Sequence, residues 1–587
     1  MNETVPGVVR SSSLLKSAPI VLWSGSLILI ILSLVQSHTT ALPISALGLV
    51  RSLSLYYWSG LGVLIAGYVV ALQYSAQDSR MLIVFPITVG VYLIGIPQLI
   101  PGIVYFLDVP GHFAGSLYIA ATGQIQVQGT SEFVAYPASY VWGAALEEVI
   151  GAGGLAIPKM FPFLAVIALG ACSFSLAGRV LGSTKFASVA TCVFMILLMT
   201  QQDYLWFSPD FYGFIILAVF ILSLGRASVK GEQALAIFVL GIGGLLSDPG
   251  INLVILIYVS ILLLGAVLLN QRTEFMAINL FIIAFGAVYD FLHVAVQGSW
   301  SLLTYIVTAS SEALSIFSLN RGRYSNPNPT FGLATDLYTV ISLGQLAISC
   351  VVALVLLRRR KQMTPLDFCI FGLFVCEFAI SIVGITSTFA PRILEYLPLS
   401  SVPLGAIGIW RFGLAKRRPS IPLRALLVGL ISCAIVVSLF VGYSTASYQS
   451  YSGSQLSSME YVVTYSSNIS NSTVDNHLGL YAAVLAGGTG SFLTAVNTPT
   501  FPDLGTYSNS SMVCLQLSCA SGGLPDAIGG LSEFAVIVVG GEQAPAEWTL
   551  RYSMNGAGTM AAVEQKFDAV RDRVGVFGGV YPSIVYA

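Results

Sequence analysis

The sequence has little charge and few histidines. Of 587 residues, 9% are Asp, Glu, Lys or Arg, and only four are His, while 56% are hydrophobic and the formal net charge is −1. A soluble domain of this size needs a charged surface of about a quarter of its residues, so a purely soluble fold is excluded. With no basic excess, nothing points to nucleic acid. No Cys/His spacing of the metal-ligand kind is present, nor a glycine-rich phosphate loop or a repeat of broken helices. Six cysteines, Cys172, Cys192, Cys350, Cys369, Cys376 and Cys433, fall in or beside apolar runs, where Cys behaves as a small hydrophobe.

What is present is a series of apolar runs. Crossing roughly 30 Å of hydrocarbon takes about 20 residues, and about thirteen candidate spans lie near 18–36, 53–73, 82–99, 163–178, 186–199, 211–224, 234–246, 251–269, 277–288, 339–357, 368–385, 397–409 and 423–441. The expected fold class is a polytopic α-helical membrane protein. Lys and Arg gather on the cytoplasmic side. An N-terminus inside places 17 of the 26 basic residues there, including the cluster Arg358, Arg359, Arg360 and Lys361. An odd count of spans then puts the tail, 444–587, outside.

That tail is rich in Ser, Gly, Asn and Tyr, with short β-like runs such as "FAVIVVGG", and reads as a small extracytoplasmic α/β or β-rich domain. Asn468, Asn471 and Asn509 each open a glycosylation sequon there, although Asn2 does so on the cytoplasmic side. Cys514 and Cys519, five residues apart in the same region, suit a disulfide in an oxidising compartment.

Ionisable groups at the membrane boundary are costly unless paired or used, and the expected outer loops hold most of them. Asp108 and His112 stand in "YFLDVPGHFAG", followed by Glu132, Glu147 and Glu148, then by Asp203 and Asp210 in "QQDYLWFSPDFYG". Further on come Asp248 in "LLSDPG", Asp290 and His293 in "YDFLH", Arg321 and Arg323 in "SLNRGRYSNPNP", and Arg392 and Glu395 in "FAPRILEYLPLS". The longest outer loop, 101–162, carries apolar residues at helical spacing and is expected to form short helices along the interface. The blander roles are clear: Asp108 and Asp210 as helix caps, Arg392 paired with Glu395, Glu147 and Glu148 as a solvated helix face, and Trp142, Tyr204 and Trp206 as interface anchors.

An apolar helix, an Asp with a His four residues on, an interfacial helix ending in Gly and a downstream "YPASY" together resemble the integral-membrane glycosyltransferases of the C-type (GT-C) superfamily, above all archaeal and bacterial members. The resemblance extends to "WFSPDFYGF", "SDPG", "PRILEYLPLS" and the terminal "VGVFGGVYPSIVY", and covers most of the chain from about residue 82. It implies a GT-C-like transmembrane core over 81–443, two additional N-terminal helices within 1–80 and an outer domain over 444–587. It also implies a multi-pass cell-membrane enzyme that moves sugar, with inversion, from a polyprenyl-phosphate carrier (dolichyl phosphate in archaea) to an extracytoplasmic glycan, lipid or protein.

Carried onto this chain, the family's acidic base is Asp108. His112 orients it or shares its proton, and Arg392, Arg321 or Arg323 would hold the donor phosphate. Where relatives often have Ser-His-Pro, this chain has Asp248, so that position's role stays open. Asp203, Asp210 and Asp248 are candidates for acceptor or metal contacts. They are oxygen donors suited to Mg²⁺ or Mn²⁺, and the cofactor is left unknown.

Three other readings compete. An oligosaccharyltransferase shares the layout, but none of the seven Trp residues is adjacent to another, so that family's Trp-Trp-Asp segment is missing. A transporter or lipid flippase would draw on Glu377, an acid within an apolar run. A silent scaffold would bind a partner through its outer domain.

Overall fold

The computed structural model describes residues 13–36, 48–75, 80–99, 104–105, 109–125, 136–151, 156–200, 207–224, 231–268, 276–289, 329–358, 363–384, 397–411 and 421–443, together with strand residues 450–451, 472–473, 536–540, 573–577 and 583–586. Asp108, Glu132, Asp203, Asp290, His293, Arg321, Arg323, Arg392, Glu395, Cys514 and Cys519 lie outside the described residues.

The chain is a helical membrane protein. Each apolar run is covered by a helix: α1 Ser13–Gln36, α2 Leu55–Tyr74 and α3 Met81–Gln98. After the two short helices α4 Val109–Thr122 and α5 Ala138–Ile150 come α6 Ala156–Leu181, α7 Thr184–Met199, α8 Pro209–Leu224 and α9 Gly231–Leu245. Then follow α10 Pro249–Leu268, α11 Met276–Tyr289, α12 Pro329–Arg358, α13 Pro365–Gly384, α14 Leu397–Arg411 and α15 Ile421–Tyr443. Among the described residues, five stretches are long and apolar enough to cross a membrane: Ser17–Gln36, α2, α3, α6 and Val340–Arg358 of α12.

The boundaries that differ most from the sequence expectation are two helix starts. The helix after the long loop begins at Ala156, not after Pro162, because Pro158 falls in its first turn, where the missing N–H breaks no ladder bond, and Pro162 is carried inside the helix. The loop therefore ends near residue 155. Likewise α12 starts at Pro329, about ten residues before its apolar stretch.

Hydrocarbon leaves no water to satisfy a freed backbone group, and α3 shows how the chain meets that demand. Its ladder is interrupted by a π turn over Val91–Gly95 and by Pro97, which has no N–H to give. The Tyr57 hydroxyl, from α2, donates to the Tyr92 carbonyl at 2.7 Å, and the Tyr443 hydroxyl, from α15, donates to the Ile94 carbonyl at 3.2 Å. Tyr92 in turn donates to the Ser26 carbonyl of α1 at 2.7 Å. The N-terminal helices are thus bonded into the bundle through α3. Its packing depends on close approach: a Cβ at Gly90 would collide with Met195 of α7 and Val166 of α6.

Strand β1, Val104–Tyr105, pairs antiparallel with β2, Ser450–Tyr451. The segment just before α4 and the start of the tail therefore lie side by side. Farther along, β3 (Ser472–Thr473), β4 (Val536–Gly540), β5 (Arg573–Phe577) and β6 (Ser583–Tyr586) form one sheet in the order β3-β4-β6-β5, with β3 parallel to β4 and the other pairs antiparallel.

Candidate functional site

The site is built on α4 and α5, the two short helices of the long loop. Helix α5 buries Tyr140, Gly143 and Ala144 and leaves Val141, Val149 and Ile150 exposed. It ends where Gly151 takes a left-handed conformation, φ 58°, and donates to the Glu147 carbonyl at 2.7 Å. The two helices touch closely at Gly143. A Cβ there would overlap the Ser116 hydroxyl of α4 and stand 3.0 Å from the Phe207 ring.

Beneath them lies an aromatic floor. Phe207 meets Phe113 and Phe161 edge-on at centroid distances of 5.8 and 5.2 Å. Trp142 packs on Phe161 at 5.3 Å and on Tyr212 at 5.5 Å. Trp142, expected to be an interface anchor, is half-buried in this floor. Edge-to-face aromatic packing of this kind adds about 0.5–1.5 kcal/mol per pair beyond area burial, and it fixes the hairpin on α6 and α8.

His112 sits in the first turn of α4, which begins at Val109, the residue after Asp108 in sequence. It is half-buried, and its Nδ1 lies 3.1 Å from the hydroxyl of the fully buried Tyr140. That bond joins α4 to α5 and fixes the imidazole plane. One ring nitrogen is thereby committed to a partner.

Other segments come to the same hairpin. The Ala138 N–H at the start of α5 donates to the Leu246 carbonyl at 3.1 Å, two residues before Asp248. Tyr136, fully buried, packs against Tyr289 at the end of α11. Ser208 caps α8 by accepting from the Phe211 N–H at 3.0 Å, which places Asp210 in the first turn, where a carboxylate complements the helix dipole. The Asp248 carboxylate is only 3% exposed, and its Oδ1 accepts from the Gly250 N–H at 2.6 Å and the Ile251 N–H at 3.2 Å, the cap of α10. Glu147 is half-buried and Glu148 exposed.

The sequence reading missed three polar groups here. Ser116 and Ser139, facing helices of the hairpin, are buried with no hydrogen-bond partner for either hydroxyl among the described residues. Asn252, four residues after Asp248, is fully buried with neither amide atom partnered among the described residues. An amide inside the run "INLVILIYV" was the available signal. No group of three or more His, Cys, Asp or Glu side chains able to hold a metal occurs among the described residues.

No protein-family model matches the sequence. No curated protein matches it. Among solved structures, the chain is similar to the oligosaccharyltransferase of Archaeoglobus fulgidus, determined in complex with zinc and sulfate, at 14% identity and a TM-score of 0.42. The similarity covers 66% of this chain and 56% of that one, so the chain spans little more than half the length of that enzyme.

Proposed function

We propose that the protein is a GT-C-type glycosyltransferase that moves a sugar from a polyprenyl-phosphate donor to an acceptor hydroxyl on the extracytoplasmic face. The observation that carries this reading is the His112–Tyr140 bond within the α4–α5 hairpin. It holds an imidazole in a fixed plane, four residues after Asp108, at a point where the ends of α8, α9 and α11 also meet.

In this reading Asp108 is the general base. Its carboxylate takes the proton of the acceptor hydroxyl as that oxygen attacks the anomeric carbon. The bond from the anomeric carbon to the phosphate oxygen breaks, the polyprenyl phosphate leaves with the electron pair, and the configuration inverts. His112 is a positioning residue that orients the carboxylate. Arg392, with Arg321 and Arg323 as alternatives, carries the donor phosphate, since a guanidinium fork matches two phosphate oxygens. Asp203 and Asp210 contact the acceptor or a divalent cation, with Mg²⁺ or Mn²⁺ the ions suited to such oxygens. The GT-C core extends over 81–443 with eleven of the thirteen spans, and the domain over 444–587 faces outward.

The test uses wild type and Asp108→Asn in lipid nanodiscs, with a panel of polyprenyl-phosphate sugars and transfer read by mass spectrometry. Removing a general base should cost about 10²–10⁴-fold in turnover. Equal turnover by a well-folded Asp108→Asn sinks the assignment of the base, and no turnover with any donor sinks the enzyme reading.

Transport is the second reading, and Glu377 favours it. Within α13 its side chain is fully buried; one carboxyl oxygen accepts from the Ser400 hydroxyl of α14, and the other has no partner among the described residues. Substrate flux in proteoliposomes that is lost in Glu377→Gln but kept in Asp108→Asn would decide for transport.

A further inference from the structure

Away from the α4–α5 hairpin, a groove of about 240 Å³ runs between α7, α12 and α14. Its walls are apolar, and two wall residues are open to the surroundings: Phe186 is 41% exposed and Ile348 61%. Among the described residues its lining has no charged side chain and only three polar ones, Gln345, Ser349 and Ser401. Ser349 is fully buried and its hydroxyl has no partner among the described residues; nor has the buried amide nitrogen of Gln345. The Ser401 hydroxyl lies 3.5 Å from the amide oxygen of Gln345.

The depth of these groups follows from the helix. Ser349 and Gln345 precede Arg358, where the basic cluster begins, by nine and thirteen residues. At about 1.5 Å per residue that is roughly 14 and 20 Å, near the middle of a hydrocarbon layer about 30 Å thick. Donors at that depth have no water to turn to, and an anionic head group would meet no counter-charge. A plain alkyl chain would fill the walls and leave both donors unsatisfied. A hydroxyl on an apolar chain meets both demands, because its oxygen accepts from Gln345 and Ser349 while its proton goes to Ser401 or to the Gln345 amide oxygen. The volume falls just below the ~300 Å³ at which pockets for whole small molecules begin, so it suits the hydroxyl end of a chain that continues into the bilayer.

We infer that this groove binds a neutral lipid alcohol, entering sideways from the bilayer with its hydroxyl held by Gln345 and Ser349. The site is separate from the α4–α5 hairpin and does not depend on the glycosyltransferase reading.

The probe is a long-chain primary alcohol carrying a diazirine near its hydroxyl, compared with the same diazirine alkane lacking the hydroxyl, on the full-length protein in nanodiscs. Photolabelling is mapped by mass spectrometry. The alcohol should label peptides from α7, α12 or α14 at least fivefold more than the alkane. The Gln345→Leu/Ser349→Ala double variant should lose that excess while its alkane labelling and thermal midpoint hold. Ile348→Trp, which fills the groove from its lipid side, should suppress labelling by both probes. Equal labelling of wild type by alcohol and alkane, or an alcohol excess that survives in the double variant, would overturn the assignment.

Discussion

Nδ1 of His112 and the hydroxyl of Tyr140 lie 3.1 Å apart, joining the first turn of α4 to the middle of the first half of α5. The contact is a polar side-chain link between the two helices of the hairpin, beside the close packing at Gly143. A double-mutant cycle with His112→Phe and Tyr140→Phe should give a coupling of about 0.5–3 kcal/mol, the range for directly contacting residues. Sugar transfer should fall in each single variant with kcat reduced more than KM rises, because a positioning residue acts on the reacting geometry. Additive effects would show that the two side chains act independently.

Gly143→Ala tests the close crossing of the hairpin. The new methyl overlaps Ser116 and presses on Phe207, so the variant should lose about 1–3 kcal/mol of stability, the usual cost of overpacking. Ser116→Gly in the same chain removes the obstruction from α4 and should restore part of the thermal midpoint. A Gly143→Ala midpoint equal to wild type would mean that α4 and α5 are less tightly joined.

Asp248 separates a structural role from a metal role. As the cap of α10, its replacement by Ala should cost about 0.5–2 kcal/mol, while Asp248→Asn or Asp248→Ser should keep most of the stability because either supplies an accepting oxygen. Thermal melts with and without Mg²⁺ or Mn²⁺ measure both roles. A divalent-dependent rise in midpoint that disappears in Asp248→Asn would instead mark Asp248 as a ligand.

Glu377 and Ser400 form a buried pair between α13 and α14. Ser400→Ala strips the carboxyl of its described partner and should destabilise by about 1–3 kcal/mol, the penalty for stranding a buried polar group. Glu377→Leu combined with Ser400→Ala removes both polar partners and should be less damaging than the sum of the single changes. Unfolding in a graded denaturing detergent gives the comparison.

The hydroxyls that repair α3 make a further test. Tyr57→Phe and Tyr443→Phe each remove the buried hydroxyl that bonds a carbonyl of the π turn, and each should lower stability by about 1–3 kcal/mol with little change in packing volume. If both variants melt with wild type, the π turn is satisfied some other way.

The helices were legible because hydrocarbon imposes a local rule. An apolar run meets it wherever the chain goes afterwards, so helices α1 to α3 and α6 to α15 fall where the apolar runs lie, and among the described residues five stretches are long and apolar enough to cross a membrane. The two short helices α4 and α5 were legible through apolar residues at helical spacing within the long loop. Prolines misled only at the start of α6, where Pro158 and Pro162 read as loop but sit within a helix that tolerates them. What the tertiary structure alone decided are relationships set by helix rotation and depth, which no local pattern encodes. These include the meeting of His112 with Tyr140, the packing of Tyr136 on Tyr289, the capping use of Asp248, and the gathering of Gln345, Ser349 and Ser401 from two helices into one apolar groove. Local hydropathy says that a segment is buried in lipid or protein; only the packing of one helix against another says which polar atom faces which.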